Sequence, residues 1–372
     1  MSDTVKLPIV ILSGTPREMG RALGAQFREH IHEIYATRLA RLVEHCAEGG
    51  VEMDEAGALA AAAECLPAVR DYNPDAIEEL VGIAAAAGMD LPQVWLLGAY
   101  TDLRDYCRFG KESAARPKDG ATSPPSDSGA ECSGFFAGAD ATADGNVLIG
   151  QTWDLGTEDM EHVIACHRKP ADAPECWTIT VTGALPMIGM NECGISCCTN
   201  NLEPGDVRPG VGYLDILSSI LRCDNLSDAT DAVISAPRIS GHNYLLADGT
   251  GLAVDIETTG RRHAAFPLTR GVFVHTNHYV DPELAPLERV ASPSSVPRRL
   301  RMHTLLQSRL GKIDAESVKA IYSDRTGEFH INRYDCDGMS TNACLIMSPV
   351  QRRMWMCRAQ ADRGEWLDVE IA

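Results

Sequence analysis

The polar and apolar positions of roughly the first 107 residues read as helical, with helix-boundary chemistry at the breaks. Thr15-Pro16-Arg17-Glu18 offers a capping hydroxyl, a proline suited to the first turn and a glutamate that completes a capping box. The helix it opens is predicted to run to Gly49-Gly50. An alanine-rich helix follows from Asp54, and another opens at Asn73-Pro74 and ends near Gly88. Asp90-Leu91-Pro92-Gln93 repeats the capping pattern before a helix toward Cys107.

Between 110 and 131 the composition changes. Lys111 to Pro117 and Ser123 to Gly129 have little to bury and much turn chemistry, which predicts a flexible linker over 110–131. Beyond it the period shifts toward strands, predicted at 135–139, 147–152, 162–167, 177–182, 195–199, 244–247, 253–257 and 272–275. Asp144-Gly145 reads as a tight hairpin turn between the first two. Helices are predicted at 213–223, 227–235, 296–310 and 315–322, and two last strands at 343–347 and 354–357. Strands, then helices, then strands imply a layered protein rather than a βαβ repeat. No glycine-rich phosphate loop follows a strand, so no nucleotide cofactor is expected.

The 372 residues can build one large core or two modest domains. Thirty-three basic against 52 acidic residues give a net charge of −19, which repels phosphate backbones and anionic lipid; neither nucleic acid nor a membrane is expected as a partner. No apolar run has the length of a membrane span, and the first residues lack the pattern of a signal peptide. Thirteen cysteines without the spacing of a disulfide framework point to a reducing, cytoplasmic setting.

One of those cysteines stands apart. Cys132 lies where the linker meets the strands, in Glu131-Cys132-Ser133-Gly134-Phe135-Phe136. Taken alone it reads either as a buried thiol or as a thiol meant to become a chain terminus. Cleavage of the Glu131–Cys132 bond would put a free α-amine (pKa ~7.7–8) beside a thiol (pKa ~8.5), nucleophile and base in one residue. Gly150-Gln151-Thr152-Trp153-Asp154 falls on the returning arm of the predicted hairpin, so Asp154 could orient that amine or simply cap a turn. His275-Thr276-Asn277-His278 supplies donors after a strand, and Asn277 could support an oxyanion. The rival reading of His275 and His278 as metal ligands lacks a third ligand cluster, so no metal is expected. Asn200-Asn201 ends another strand and could bring an amide to the site. Cys193, Cys197 and Cys198 precede it, but neighbours on a strand point to opposite faces and cannot easily share an ion.

Taken together, these segments resemble the acyl-coenzyme A:6-aminopenicillanic acid acyltransferase family of self-processing N-terminal-nucleophile hydrolases. The family's motifs align in order with Gly14-Thr15-Pro16-Arg17-Glu18-Met19-Gly20, Cys132, Gln151-Thr152-Trp153-Asp154, Asn191 to Gly194, and His275-Thr276-Asn277-His278. The resemblance implies an α+β fold, an αββα sandwich of two antiparallel sheets between helical layers, preceded by a helical N-terminal segment. It implies an α-chain of 1–131 and a β-chain of 132–372 that remain one folded heterodimer after self-cleavage, open to further oligomerisation. It carries the roles of nucleophile, orienting carboxylate and oxyanion donor onto Cys132, Asp154 and Asn277. The expected activity is hydrolysis of a small linear amide through a Cys132 thioester. The alternatives are transfer of the acyl group to an amine, with acyl-coenzyme A as a possible donor, and a non-catalytic scaffold. Asn200, Trp153 and Phe135 are further candidates for oxyanion or substrate contact, with Tyr100 and Phe136 beside them. Three departures stand out: a longer linker, Glu131 where the family has glycine, and no arginine in Gly338-Met339-Ser340-Thr341-Asn342.

Overall fold

A computed structural model describes residues 4–110, 130–336 and 338–371. Most of the predicted linker (111–129) lies outside the described residues. The chain begins with β1 (Ile9–Gly14) and five helices: α1 (Pro16–Gln26), α2 (Arg28–Glu48), α3 (Glu55–Tyr72), α4 (Pro74–Ala87) and α5 (Leu91–Phe109). The strands β2 (Ala130–Ala137), β3 (Leu148–Gly156), β4 (Val163–Pro170), β5 (Cys176–Val181), β6 (Ile188–Asn191) and β7 (Ser196–Leu202) follow. After α6 (Tyr213–Ile220) and α7 (Leu226–Ser235) come β8 (Gly241–Ala247), β9 (Ala253–Thr258), β10 (His263–Leu268) and β11 (Val272–His275). Helices α8 (Ser295–Gln307) and α9 (Ala315–Tyr322) precede β12 (Met339–Ser348), β13 (Arg353–Arg358) and β14 (Leu367–Glu370).

The strands form an eight-stranded sheet, β1-β4-β5-β6-β7-β8-β9-β10, and a six-stranded sheet, β11-β2-β3-β12-β13-β14. The sheets face each other where β2 and β3 lie against β7. Helices α8 and α9 cover the outer face of the smaller sheet, and the remaining helices pack with the larger one. This is the layered α+β sandwich implied by the resemblance. Because successive strand residues face opposite ways, β2 serves both layers. Phe136 joins the core between the sheets, while its neighbour Phe135 packs edge-on against Tyr322 in the cluster under α8 and α9.

Residues before and after the linker share the larger core. Leu23, Ile34, Leu66 and Leu97 pack in one cluster with Trp153, Ile188 and Leu245. Buried polar contacts stitch the same boundary: Arg38 Nε donates to Asp159 at 2.9 Å, and Arg104 pairs with Glu203 at 2.9 Å. Strand β1 runs parallel beside β4, with Ile9 opposite Ala165.

Several elements differ from expectation. The run Ile9-Val10-Ile11-Leu12 is a strand, outside any helix; Val10 and Leu12 are buried while Ile9 and Ile11 are 49% and 67% exposed. Uniform apolarity concealed the alternation. The helix predicted from Thr15 to Gly49 breaks at Phe27 (φ −119°, ψ 25°) into α1 and α2. Strands β6, β10 and β14 were not anticipated: β6 and β14 have four residues each, and β10 is a half-exposed edge carrying Pro267. The β2–β3 connection is the whole segment 138–147 rather than a two-residue turn, with Gly145 at φ +76° inside it. Strands β2, β3 and β12 each extend farther than predicted, through polar stretches that include Cys132, Asp154 and Ser340. Strand propensity is low there, and pairing with neighbours overrides it.

Helices α1 and α4 cross in backbone contact. A Cβ on Gly20 would lie 2.0 Å from the Glu79 carbonyl oxygen, and one on Gly82 would lie 2.4 Å from that of Arg17. Backbone cannot yield as a flexible side chain can, so Gly20→Ala is expected to destabilise the protein by about 1–3 kcal/mol in urea unfolding.

Candidate active site

Cys132 is the third residue of β2, and the β2–β3 ladder fixes its surroundings. Glu131 lies opposite Asp154, and Cys132 opposite Trp153. Directly opposed residues share a face. The Cys132 thiol and Trp153 therefore point between the sheets, while the Glu131 and Asp154 carboxylates point toward α8. The peptide nitrogen of Cys132 lies in the strand itself, between the two faces. Asp154 is thus placed beside the Glu131–Cys132 bond rather than in front of the thiol.

The thiol side is a narrow cavity of about 20 Å³, lined by Cys132, Trp153, Thr199, Asn201, Tyr213 and His242 among others. Such a space holds about one water. Asn200 lies on this side too; its Oδ1 sits 3.1 Å from where a Gly134 Cβ would be, so the missing side chain at Gly134 makes room for the amide. Neither polar atom of the buried Asn200 side chain has a hydrogen-bond partner among the described residues.

The other edge of β2 is held by side chains. The Cys132 N–H donates to Asn277 Oδ1 at 2.8 Å, and the Cys132 carbonyl accepts from Arg298 Nη1 at 2.7 Å. Arg298 also donates to Ser133 Oγ (2.8 Å), to Asn277 Oδ1 (3.0 Å) and to Ser294 Oγ (3.0 Å). The Asn277 amide orientation follows, since its Oδ1 faces two groups that can only donate. Its Nδ2 donates to the Asn201 carbonyl at 3.0 Å. Asn277 therefore accepts from the Glu131–Cys132 peptide, and its donor side is occupied. Glu131, fully buried, is clamped by Ser292, by Ser294 (2.6 Å), by Arg333 and by Arg298 (3.3 Å).

Burial shapes the titration of these groups. It pushes the Cys132 thiol up to about 12, helped by the Asp154 charge and opposed by the Asp154 backbone N–H, Arg298 and the Gln151 amide. The intact chain thus keeps the thiol protonated. Burial also raises Asp154 to about 7, with Arg298 and the Thr341 and Thr152 hydroxyls holding back part of the rise. Neither Asp154 oxygen accepts a hydrogen bond of ordinary geometry from the described residues. His275 is raised overall; burial pulls it down, but Asp255 and Glu257 outweigh that, and its Nε2 pairs with Glu257 at 2.7 Å. His278 is lowered to about 4 by burial and meets Ser295 Oγ at 2.6 Å. Both imidazoles are thus engaged in the scaffold around Asn277.

Cys132, Glu131, Asp154, Trp153, Asn277 and Asn200 gather around one stretch of β2. Phe135 does not: three residues from Cys132, it faces the opposite layer. Phe136 and Tyr100 are core residues outside the cavity lining, Tyr100 lying under the Arg38 guanidinium at 4.9 Å. The sequence reading missed Arg298, Arg333, Ser292 and Ser294. It sought an arginine at 338–342, where Thr341 instead faces Asp154 across the ladder. Arg298 was legible in principle: Ser295, Arg298, Met302 and Leu306 form the buried stripe of α8, and a guanidinium inside such a stripe needs a partner.

The layered α+β architecture, with a buried cysteine on the first strand beyond the helical segment, defines the class of protein. The model of the acyl-coenzyme A:6-aminopenicillanic acid acyl-transferase family matches residues 141–363, more than half of the chain, and the chain belongs to that family. An uncharacterized protein of Archaeoglobus fulgidus is 24% identical in an alignment of 221 positions that covers 52% of this chain and 37% of that protein. The chain therefore spans little more than a third of that relative's length. Among solved structures, a variant of conjugated bile acid hydrolase from Clostridium perfringens superposes with a TM-score of 0.45 at 14% identity, over 64% of this chain and 92% of that one. Penicillin V acylase from Agrobacterium tumefaciens gives 0.42 at 12% identity, over 64% and 86%.

Because Asp154 titrates near 7 when folded and near ~4 when unfolded, the folded chain holds a proton through that window that the unfolded chain has released. Stability is therefore lost as pH rises from ~4 to ~7. In an uncut Cys132→Ala background, Asp154→Asn is expected to abolish this loss. It should gain on the order of 2–4 kcal/mol at pH 8 and almost nothing at pH 4, read by urea unfolding.

Proposed function

We propose that the protein is a self-cleaving N-terminal cysteine amidase. The observation that carries this reading is the pairing of Glu131–Cys132 with Asp154: a buried carboxylate that accepts no hydrogen bond of ordinary geometry from the described residues stands beside a peptide bond whose cleavage would create an ammonium. In that first step the Cys132 sulfur adds to the Glu131 carbonyl carbon and the C–N bond breaks. The thiol proton passes to the departing nitrogen, and water then opens the thioester. Glu131 leaves as a carboxylic acid and Cys132 regains its thiol and an α-amine. Antiparallel alternation supports the geometry, because the Cys132 N–H and C=O turn toward Asn277 and Arg298 and so direct the Glu131 carbonyl toward β3.

The new amine inherits Asn277 Oδ1 as an acceptor and Asp154 as a counter-charge. It then takes the thiol proton, directly or through one water, as sulfur attacks a small amide. Asn200 stands on the thiol face with its amide unengaged by the described residues and is the donor best placed for the oxyanion; Asn277 joins it once its Nδ2 leaves the Asn201 carbonyl. The amine of the substrate departs, and water clears the acyl-enzyme. The core shared by residues 4–110 and residues beyond Cys132 keeps the two chains together after the cut. Family membership favours a second reading, in which an amine rather than water accepts the acyl group.

The mass of the purified chain is the first test. Wild type is expected as two fragments divided before Cys132, and Cys132→Ala as one. Uncut wild type would remove the base on which this mechanism depends. Added amines then separate the two readings: N-acyl products formed at the expense of free acid indicate transfer, and free acid alone indicates hydrolysis.

A further inference from the structure

The clamp around Glu131 is more elaborate than a cut site requires. Four side chains from three places converge on one carboxylate: Ser292 and Ser294 from the turn before α8, Arg298 from α8 itself, and Arg333 from the segment before β12. Arg298, Glu131 and Asp154 have no measurable exposure, and Arg333 is 7% exposed. Burying charges is tolerable only when they are paired. With Glu131 in place, two guanidiniums face two carboxylates, Glu131 and Asp154. If Glu131 withdraws after cleavage, the pocket keeps two guanidiniums and one carboxylate and gains the Cys132 ammonium. The result is a buried cationic pocket inside a protein of net charge −19.

We infer that this clamp is the acyl-side specificity pocket of the mature enzyme, and that its substrates are amides whose acyl group ends in a carboxylate. The inference rests on the proposed self-cleavage, because Glu131 must leave the clamp for a substrate to enter it. The chain itself supplies the template. Glu131 presents a carbonyl to Cys132 and, through its Cα and two methylenes, a carboxylate to Arg298 and Arg333. An acyl group of the same reach is a glutaryl or α-glutamyl group. When such a group takes the place of Glu131, its carbonyl lies at the Cys132 sulfur and its carboxylate restores the charge pairing. Arg298 ties recognition to catalysis, because the guanidinium that contacts the carboxylate also holds the Cys132 carbonyl and Asn277. A neutral acyl group of equal length would leave both guanidiniums without that partner, a penalty that discriminates more sharply than lost contact area.

The test compares N-glutaryl and N-pentanoyl 4-nitroanilides with the self-cleaved full-length protein. The two acyl groups differ at the far end, where one carries a carboxylate and the other a methyl. A preference for the glutaryl anilide of about 100-fold or more in kcat/KM is expected, from the loss of charge-assisted hydrogen bonds. Arg333→Gln should reduce that ratio by about 10–100-fold, and Ser292→Ala, which removes no charge, by a smaller factor. Because both substrates are assayed on the same preparation, partial maturation of a variant cancels in the ratio. Equal turnover of the two anilides by the cut wild type overturns the carboxylate pocket and leaves the amidase reading standing. A cut chain that turns over neither, its clamp still filled by Glu131, also overturns it. A chain that never cuts overturns the amidase reading, and this inference with it.

Discussion

The arrangement around Cys132 depends on one buried guanidinium. Arg298 reaches from α8 into the edge of β2 and satisfies the Cys132 carbonyl, Ser133, Asn277, Ser294 and Glu131 together. An uncompensated charge at that depth would cost several kcal/mol, so its neighbours are not free to drift. Asn277 is oriented by it, the strand edge beyond β11 is closed by it, and Asp154 feels its charge. The Cys132 carbonyl, Asn277 and Glu131 are thus held by the same planar fork.

The second organising constraint is the two-residue period of the strand. It divides the site into a thiol face between the sheets and a carboxylate face under α8, with the peptide nitrogen between them. In the proposed mechanism Cys132 and Asp154 need not touch, because the cysteine's own amine would connect them. The same division leaves the thiol enclosed. It is raised by burial, the cavity before it has room for little more than a water, and the Asn277 amide is engaged by the Asn201 carbonyl. Cleavage would change the charge, the access and the base in one event.

Local chemistry made much of this legible. Capping boxes at Thr15 and Asp90 and an Asn73 cap mark helix starts where the structure has them. The composition change before Cys132, the strand period after it and the ordered motifs indicated the layered class and brought Cys132, Asp154 and Asn277 forward as a set. Other parts were hidden for identifiable reasons. From Ile9 to Leu12 of β1 every position is apolar, so the alternation of burial there has no sequence signature. The ends of β2, β3 and β12 carry the polar residues of the candidate site, and polar residues argue against strand until their partners are known.

The sequence by itself determined where helices cap and strands alternate and in what order the candidate site residues occur, because caps, turns and strand period are encoded within a few neighbours along the chain. It could not determine what surrounds Glu131. Ser292, Ser294, Arg298 and Arg333 lie more than 160 residues away from it and meet it only when α8 docks on the six-stranded sheet. Nothing local requires Arg298 to turn inward rather than to solvent beside Arg299 and Arg301. Tertiary packing decided that, because the buried stripe of α8 faces a sheet edge with a carbonyl, an amide oxygen and a carboxylate to satisfy, and the five donors of a planar guanidinium answer all three at once.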